Sequence, residues 1–171
     1  MKPNSTQRNQ NNIKSSKQLL HWGQSQYCWL ATKPGHKQPG ASLSREVPPE
    51  VQELCHTLVG IAGQKAVVPL TDDLTLDLII ANNGVLVMPQ GLTMKRGEPS
   101  NCHGNSAKLW SKSKGKYRFV TGYALIDDDR MWGRHSWLTT KEGKIIETTV
   151  PRDLYFGIGA DWWAERILQL S

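Results

Sequence analysis

Three side chains in the second half of this chain have the types needed for nucleophilic acyl chemistry: Cys102, His135 and Glu147. A thiolate attacks a carbonyl carbon, an imidazole carries the proton between sulfur and leaving group, and a carboxylate orients and charges the imidazole. Cys102 is the strongest of the three because of where it falls. Pro99 stops any helix before it, and Ser100 and Asn101 are good N-cap residues. The pattern predicts a helix from about Cys102 to Ser113, ending at Gly115. Ser106, Leu109 and Trp110 then share a face with Cys102. A cysteine on a first helical turn meets unpaired N–H groups and the positive end of the helix dipole. Both favour thiolate, and the same N–H groups can hold an oxyanion. A buried structural cysteine is the bland reading of an isolated Cys, and it applies to Cys55, which lies on an apolar helix face.

The elements that must position His135 and Glu147 read as strands. Residues 117–126, 131–139 and 144–150 alternate or run apolar, with Lys141-Glu142-Gly143 as the last turn. Side chains alternate across a strand, so His135 shares a face with Gly133, Trp137 and Thr139. A two-residue turn, Glu142-Gly143, would place Glu147 opposite Leu138, on the wrong face. A three-residue turn, Lys141 to Gly143, places Glu147 opposite Trp137 and diagonal to His135, on the same face. Three-residue turns commonly end in a left-handed Gly, which Gly143 supplies. Diagonal partners are within reach of long side chains. Asp153 is a rival orienter, but it falls beyond the strand, after Pro151.

These pieces resemble a known family. Asn101-Cys102 opening a helix, Val120-Thr121-Gly122-Tyr123, His135-Ser136-Trp137-Leu138 and Ile146-Glu147-Thr148-Thr149 succeed one another as in the papain/transglutaminase-like core. The resemblance spans residues 98–157, about a third of the chain. It implies an α+β fold, with the Cys at the N-terminus of a helix packed on an antiparallel sheet. It implies a Cys-His-acid triad that hydrolyses or transfers acyl groups at amides, as a cysteine peptidase, amidase or transglutaminase-like acyltransferase. The substrate implied is a protein, peptide or small amide, with no cofactor. Glu147 stands where the family has Asp. The family also has an oxyanion donor beside the backbone N–H of Cys102; Gln90 in the preceding loop is one candidate and a Trp is another.

The rest of the chain supports one domain over residues 18–171 behind a disordered basic tail over 1–17. The tail holds Lys2, Arg8, Lys14 and Lys17, no acid and a single Ile, so it cannot bury enough to offset its ordering entropy. Residues 18–31 are aromatic and read as part of the core; 32–47 read as a Pro/Gly-rich surface loop. Pro48-Pro49-Glu50 starts a helix with Val51, Leu54, Cys55, Leu58 and Val59 on its apolar face, ended by Gly60 or Gly63. Residues 74–80 and 84–88, with Asn82-Asn83-Gly84 between them, read as strands, the first alternatively as a short helix. Residues 89–101 read as a loop, and 160–170 as a helix docked by Trp162-Trp163, Ile167 and Leu170.

Of 171 residues 38% are hydrophobic and seven are Trp, enough for one real core. The N-terminus is polar, three cysteines close no disulfide framework, and no apolar run spans a bilayer, which predicts a cytoplasmic protein without a membrane segment. The net charge of +6 is concentrated in the tail and in residues 91–118, where seven cations face only Glu98. The alternative function is therefore a non-catalytic basic module for nucleic acid or an acidic protein on the same fold. A catalytically dead interaction protein is a third possibility. Cys102, His103 and His135 have metal-ligand types but lack the usual spacing, so no metal site is expected. His103 reads as an exposed first-turn residue pointing away from Cys102. Asp127-Asp128-Asp129 reads as a solvated turn.

Overall fold

A computed structural model describes residues 27–31 (backbone only), 48–69, 75–126 and 130–170. The tail over 1–17, residues 18–26, the side chains of 27–31, the loop over 32–47 and the acidic turn 127–129 lie outside the described residues. Within them the chain is α+β, with four helices and eight strands in one curled, mixed sheet. Strand β1 (Tyr27–Ala31) pairs antiparallel with β2 (Lys65–Pro69). Helix α1 (Pro49–Ile61) lies between them in sequence, and α2 (Thr75–Asn83), β3 (Val85–Val87) and β4 (Leu92–Met94) come after. Next are helix α3 (Cys102–Lys112) and strands β5 (Arg118–Ile126), β6 (Met131–Thr139), β7 (Ile145–Glu147) and β8 (Tyr155–Gly159). Helix α4 (Asp161–Gln169) ends the order. The main path through the sheet is β1-β2-β6-β5-β8-β3, and β7 pairs with β6 and β4.

The long β5–β6 hairpin is the centre, paired from Arg118–Thr139 to Ile126–Met131. Apolar faces cover it in two blocks. Val51, Leu54, Cys55, Leu58 and Val59 of α1 pack with Leu76 and Ile80 of α2 on Tyr123, Leu125 and Trp132. The indole N–H of Trp132 donates to the Ala62 carbonyl at 2.8 Å and pins the end of α1. Ala107 of α3, Ala160 at the N-cap of α4 and Ala164 within α4 pack on Phe119, Leu138 and Ile146. Cys55 is wholly buried in the first block, as its helical spacing predicts.

Two segments differ from the sequence reading. Residues 75–83 form a helix, the alternative reading of that segment, and not the strand put first. The Asn82 and Asn83 amides, read as a hairpin turn, donate to the Leu78 and Ile79 carbonyls and close the last helical turn. Residues 92–94, read as loop, form β4, parallel to β7 with Met94 beside Glu147. Three residues are too few for a periodic pattern, and the partner strand supplies the order.

One edge of β6 is shared by two strands. On that edge β2 reaches Trp132 and β7 begins at Leu138. Between them, among the described residues, no strand pairs with it. Helix α3 closes the gap: Ser106 Oγ donates to the Ser136 carbonyl at 3.1 Å. The N-terminus of α3 is thereby brought to the stretch of β6 that carries His135.

Candidate active site

Cys102 sits at the first position of α3, and its surroundings explain why the helix begins there. The Asn101 carboxamide accepts from the Gly104 N–H at 3.2 Å, and its amide donates to the Glu98 carboxylate at 3.0 Å. Any side chain at 104 would run into the Asn101 amide, so the cap requires glycine at that position. Asn105 clamps the Glu98 backbone from both sides, accepting from its N–H at 3.0 Å and donating to its carbonyl at 2.7 Å. Upstream of that clamp, Lys95 N–H donates to the Glu147 carbonyl at 2.8 Å and Gly97 N–H to the Thr148 carbonyl at 2.9 Å. One continuous segment therefore ties the end of β7 to the start of α3.

The β6–β7 turn has three residues. Leu138 pairs with Ile146 and Thr139 with Ile145, Thr140 N–H donates to the Lys144 carbonyl at 2.9 Å, and Gly143 is left-handed with φ +80°. Glu147 therefore lies on the His135 face, in the register the turn residues predict. His135 Nε2 meets Glu147 Oε2 at 2.8 Å. A carboxylate accepts only, so Nε2 carries the hydrogen and Nδ1 is left for Cys102.

Glu147 is fully buried and fully satisfied. Its Oε1 accepts from the N–H groups of Thr148 and Thr149 at 2.8 and 2.9 Å and from Thr149 Oγ1 at 3.0 Å. Its Oε2 takes Tyr155 Oη at 3.1 Å beside His135. Burial alone would raise this carboxyl; the hydrogen bond and charge of His135 and the two backbone donors more than reverse that, bringing it to about 2. Burial and the Glu147 charge push the Tyr155 phenol up, so Tyr155 stays a donor. Trp137 stacks beside His135 at 6.2 Å between ring centroids, inclined 16°.

Cys102 is partly exposed, and His135 is 3% exposed. Burial raises the Cys102 thiol, but hydrogen bonds and charge from His103 and His135 outweigh it and lower it to about 5. Burial lowers the His135 imidazolium, while its bonds to Cys102 and Glu147 and their charges lift it to about 9. At neutral pH the arrangement is a thiolate beside an imidazolium.

His103 corrects the sequence reading. It is half-buried rather than exposed, and its Nδ1 meets Ser136 Oγ at 2.6 Å. The i+1 position normally diverges from its neighbour, but the open edge of β6 draws the imidazole back onto Ser136. Thr121, Ser136, Tyr155 and Thr149 are further site residues that sequence reasoning missed; the repeated hydroxyls around the His-Ser-Trp and Glu-Thr-Thr strings were the available signal. Asp153 is exposed. Gln90 is exposed between β3 and β4, and among the described residues it has no side-chain hydrogen bond to the site.

Elsewhere, a cleft of about 450 Å³ is lined by Trp110, Ser111, Gly115, Tyr117, Arg118, Lys141 and Asp161. Lys95 and Lys116 stand over the Tyr117 ring at 5.1 and 5.6 Å, and Lys95 Nζ donates to its hydroxyl at 2.8 Å. Among the described residues no helix is long and apolar enough to cross a membrane, and no three His, Cys, Asp or Glu side chains are grouped to hold a metal ion. No protein-family model, curated protein or solved structure matches this chain.

Proposed function

We propose that this protein is a cysteine-dependent hydrolase or acyltransferase acting on amides, with Cys102 as nucleophile, His135 as acid–base and Glu147 as its orienting carboxylate, on a papain/transglutaminase-like core. The observation that carries the reading is the 2.8 Å bond between His135 Nε2 and a buried glutamate, which leaves the other ring nitrogen to act on Cys102, the cysteine at a helix N-terminus that raises the imidazole. A structural cysteine has no use for a charged, fully hydrogen-bonded His–Glu pair beside it, and such a pair is costly to bury.

The thiolate attacks the amide carbonyl carbon. The C–S bond forms and the carbonyl pair moves to oxygen, where the backbone N–H of Cys102 meets it, because first-turn N–H groups have no intrahelical acceptor. The second donor proposed is Gln90 or a Trp; Gln90, exposed in this structure, would have to turn inward to serve. As the C–N bond breaks, His135 gives its Nδ1 proton to the leaving amine. Water or an amine then attacks the thioester, its proton passes to His135, and the C–S bond breaks to restore the thiolate.

The test is labelling by iodoacetamide at pH 6, read by mass spectrometry residue by residue. Cys102 reacts at least tenfold faster than Cys55, and His135→Ala slows it. Equal, slow labelling of Cys102 and Cys55 overturns the reading.

A further inference from the structure

The cleft at the far end of α3 has no part in the triad, and four separate parts of the fold build it. Trp110 comes from the last turn of α3, Tyr117 and Arg118 from the entry to β5, Lys141 from the β6–β7 turn and Asp161 from the first position of α4. Its volume of about 450 Å³ is that of a small-ligand site. Arg118 and Lys141 are exposed in it. Among the described residues the ion pairs are Arg134–Asp77 and His135–Glu147, so neither cation of the cleft is held in one. Two more cations are fixed beside it. Lys95 Nζ donates to the Tyr117 hydroxyl at 2.8 Å, and Lys95 and Lys116 stand over the Tyr117 ring at 5.1 and 5.6 Å. Lys116 follows a turn in which Lys114 and Gly115 both take left-handed backbone, with φ +51° and +78°. A left-handed lysine is strained, and such strain collects at functional places. The one acid lining the cleft, Asp161, is turned to the fold, its Oδ1 accepting from the Phe119 N–H at 2.8 Å.

We propose that this cleft recognises an acidic segment of a polypeptide, whose side-chain carboxylates are taken by Arg118 and Lys141. The proposal rests on the cysteine-nucleophile reading, in that it makes this polypeptide the substrate whose amide Cys102 attacks. Arg118 offers a planar fork that matches a carboxylate, and Lys141 a second, compact charge. Half-buried Trp110 gives the methylenes of a glutamate an apolar wall. A nucleic acid is the poorer fit. Single strands bind by stacking bases on open aromatic faces. Tyr117 is 6% exposed, with two ammonium groups over its ring. The Asp161 carboxylate also repels a continuous row of phosphates, whereas a few separate carboxylates can be seated away from it. The distance to the nucleophile sets where the acids lie. Trp110 is roughly 12 Å along the helix axis from Cys102. An extended chain covers that span in about four residues, so the acids lie about four positions from the amide attacked.

The experiment uses the full chain and peptides that carry a chloroacetamide, from which the Cys102 thiolate displaces chloride. At low ionic strength a peptide with paired glutamates about four residues from the chloroacetamide labels Cys102 about tenfold faster than its glutamine counterpart. The advantage shrinks as salt is added, and it falls when the glutamates adjoin the chloroacetamide. The Arg118→Ala/Lys141→Ala variant loses the advantage and keeps the parent rate with iodoacetamide, which shows its fold and its thiol intact. If the alanines slow iodoacetamide as well, Arg118→Gln/Lys141→Gln carries the comparison, with the same loss expected. Glutamate and glutamine peptides that label the parent at one rate overturn the proposal while leaving the nucleophile reading standing. So does an advantage that survives in the folded double variant. An oligonucleotide that competes more strongly than a glutamate peptide of equal net charge assigns the cleft to nucleic acid and also overturns it. A parent chain whose Cys102 reacts with iodoacetamide no faster than Cys55 sinks the nucleophile reading itself.

Discussion

Glu147 illustrates how far a single residue type can be read and where the reading stops. Its place as the candidate acid beside His135 came from strand alternation and turn length; its four other hydrogen bonds did not, because they come from Thr148, Thr149 and Tyr155 folding around it. The two oxygens have separate partners, one for the backbone and one for His135 and Tyr155. Aspartate, one methylene shorter, reaches one set and not both. Glu147→Asp therefore lowers turnover about tenfold rather than restoring a family-like triad, and Glu147→Gln destabilises the protein by about 2 kcal/mol at pH 7, measured by urea unfolding. Because the folded carboxyl lies at about 2, below its unfolded value, its contribution is present above about pH 4.3 and is lost as pH falls through about 2. The Gln variant and its parent therefore converge in stability near pH 2. The other two groups set the rate profile. Cys102 is thiolate above about 5 and His135 is imidazolium below about 9, so turnover rises through the first value and falls through the second. Labelling by iodoacetamide rises with the first and does not fall with the second, since it needs no proton donor. His103 was misread at this same scale because helical divergence was the only available rule, and the pull of Ser136 is a tertiary effect.

At the scale of elements, the chain announced those with caps, turns or periods and concealed those that depend on partners. Helix α1 matches its Pro start and apolar spacing, β6 matches residue for residue, and α3 ends one residue early. Helix α2 was ambiguous because an apolar run of this length fits either period, and Asp77 decides it. Buried on the inner face of α2, its carboxylate accepts from Tyr123 Oη at 2.6 Å and pairs with Arg134. Strand β4 was invisible, though it ties β7 to the start of α3. The decisive element is the β6–β7 turn, and it makes a sharp prediction. Deleting Glu142 leaves a two-residue loop, shifts β7 by one position and turns Glu147 to the opposite face. The deletion variant loses fast Cys102 labelling at pH 6 by about tenfold or more, comparable to removing His135's partner altogether. Gly143→Ala keeps the loop length and strains only one left-handed residue, costing about 1 kcal/mol in unfolding free energy with labelling unchanged. If both variants label like the parent, register is not what joins His135 to Glu147.

Among the described residues a basic cleft and the proposed nucleophile lie at opposite ends of one helix. Cys102 begins α3, and the basic cleft formed by Trp110, Tyr117, Arg118 and Lys141 lies at its other end, roughly 12 Å along the axis at the usual helical rise. The exposed Lys112, Lys114 and Lys116 extend that surface. This separation is about one and a half Debye lengths at physiological salt, so the cations attract a substrate best at low ionic strength and lie too far to act on the thiol through water. The two roles can therefore be uncoupled. Reversing Lys112, Lys114 and Lys116 to Glu lowers kcat/KM for an acidic peptide amide about tenfold at low ionic strength, through KM, and the deficit shrinks as salt is added. The same triple variant labels with neutral iodoacetamide at the parent rate, because His103 and His135 are untouched. A neutral peptide amide of equal length is turned over equally by parent and variant. Equal losses on acidic and neutral substrates would show that the lysines support the fold and do not select charge.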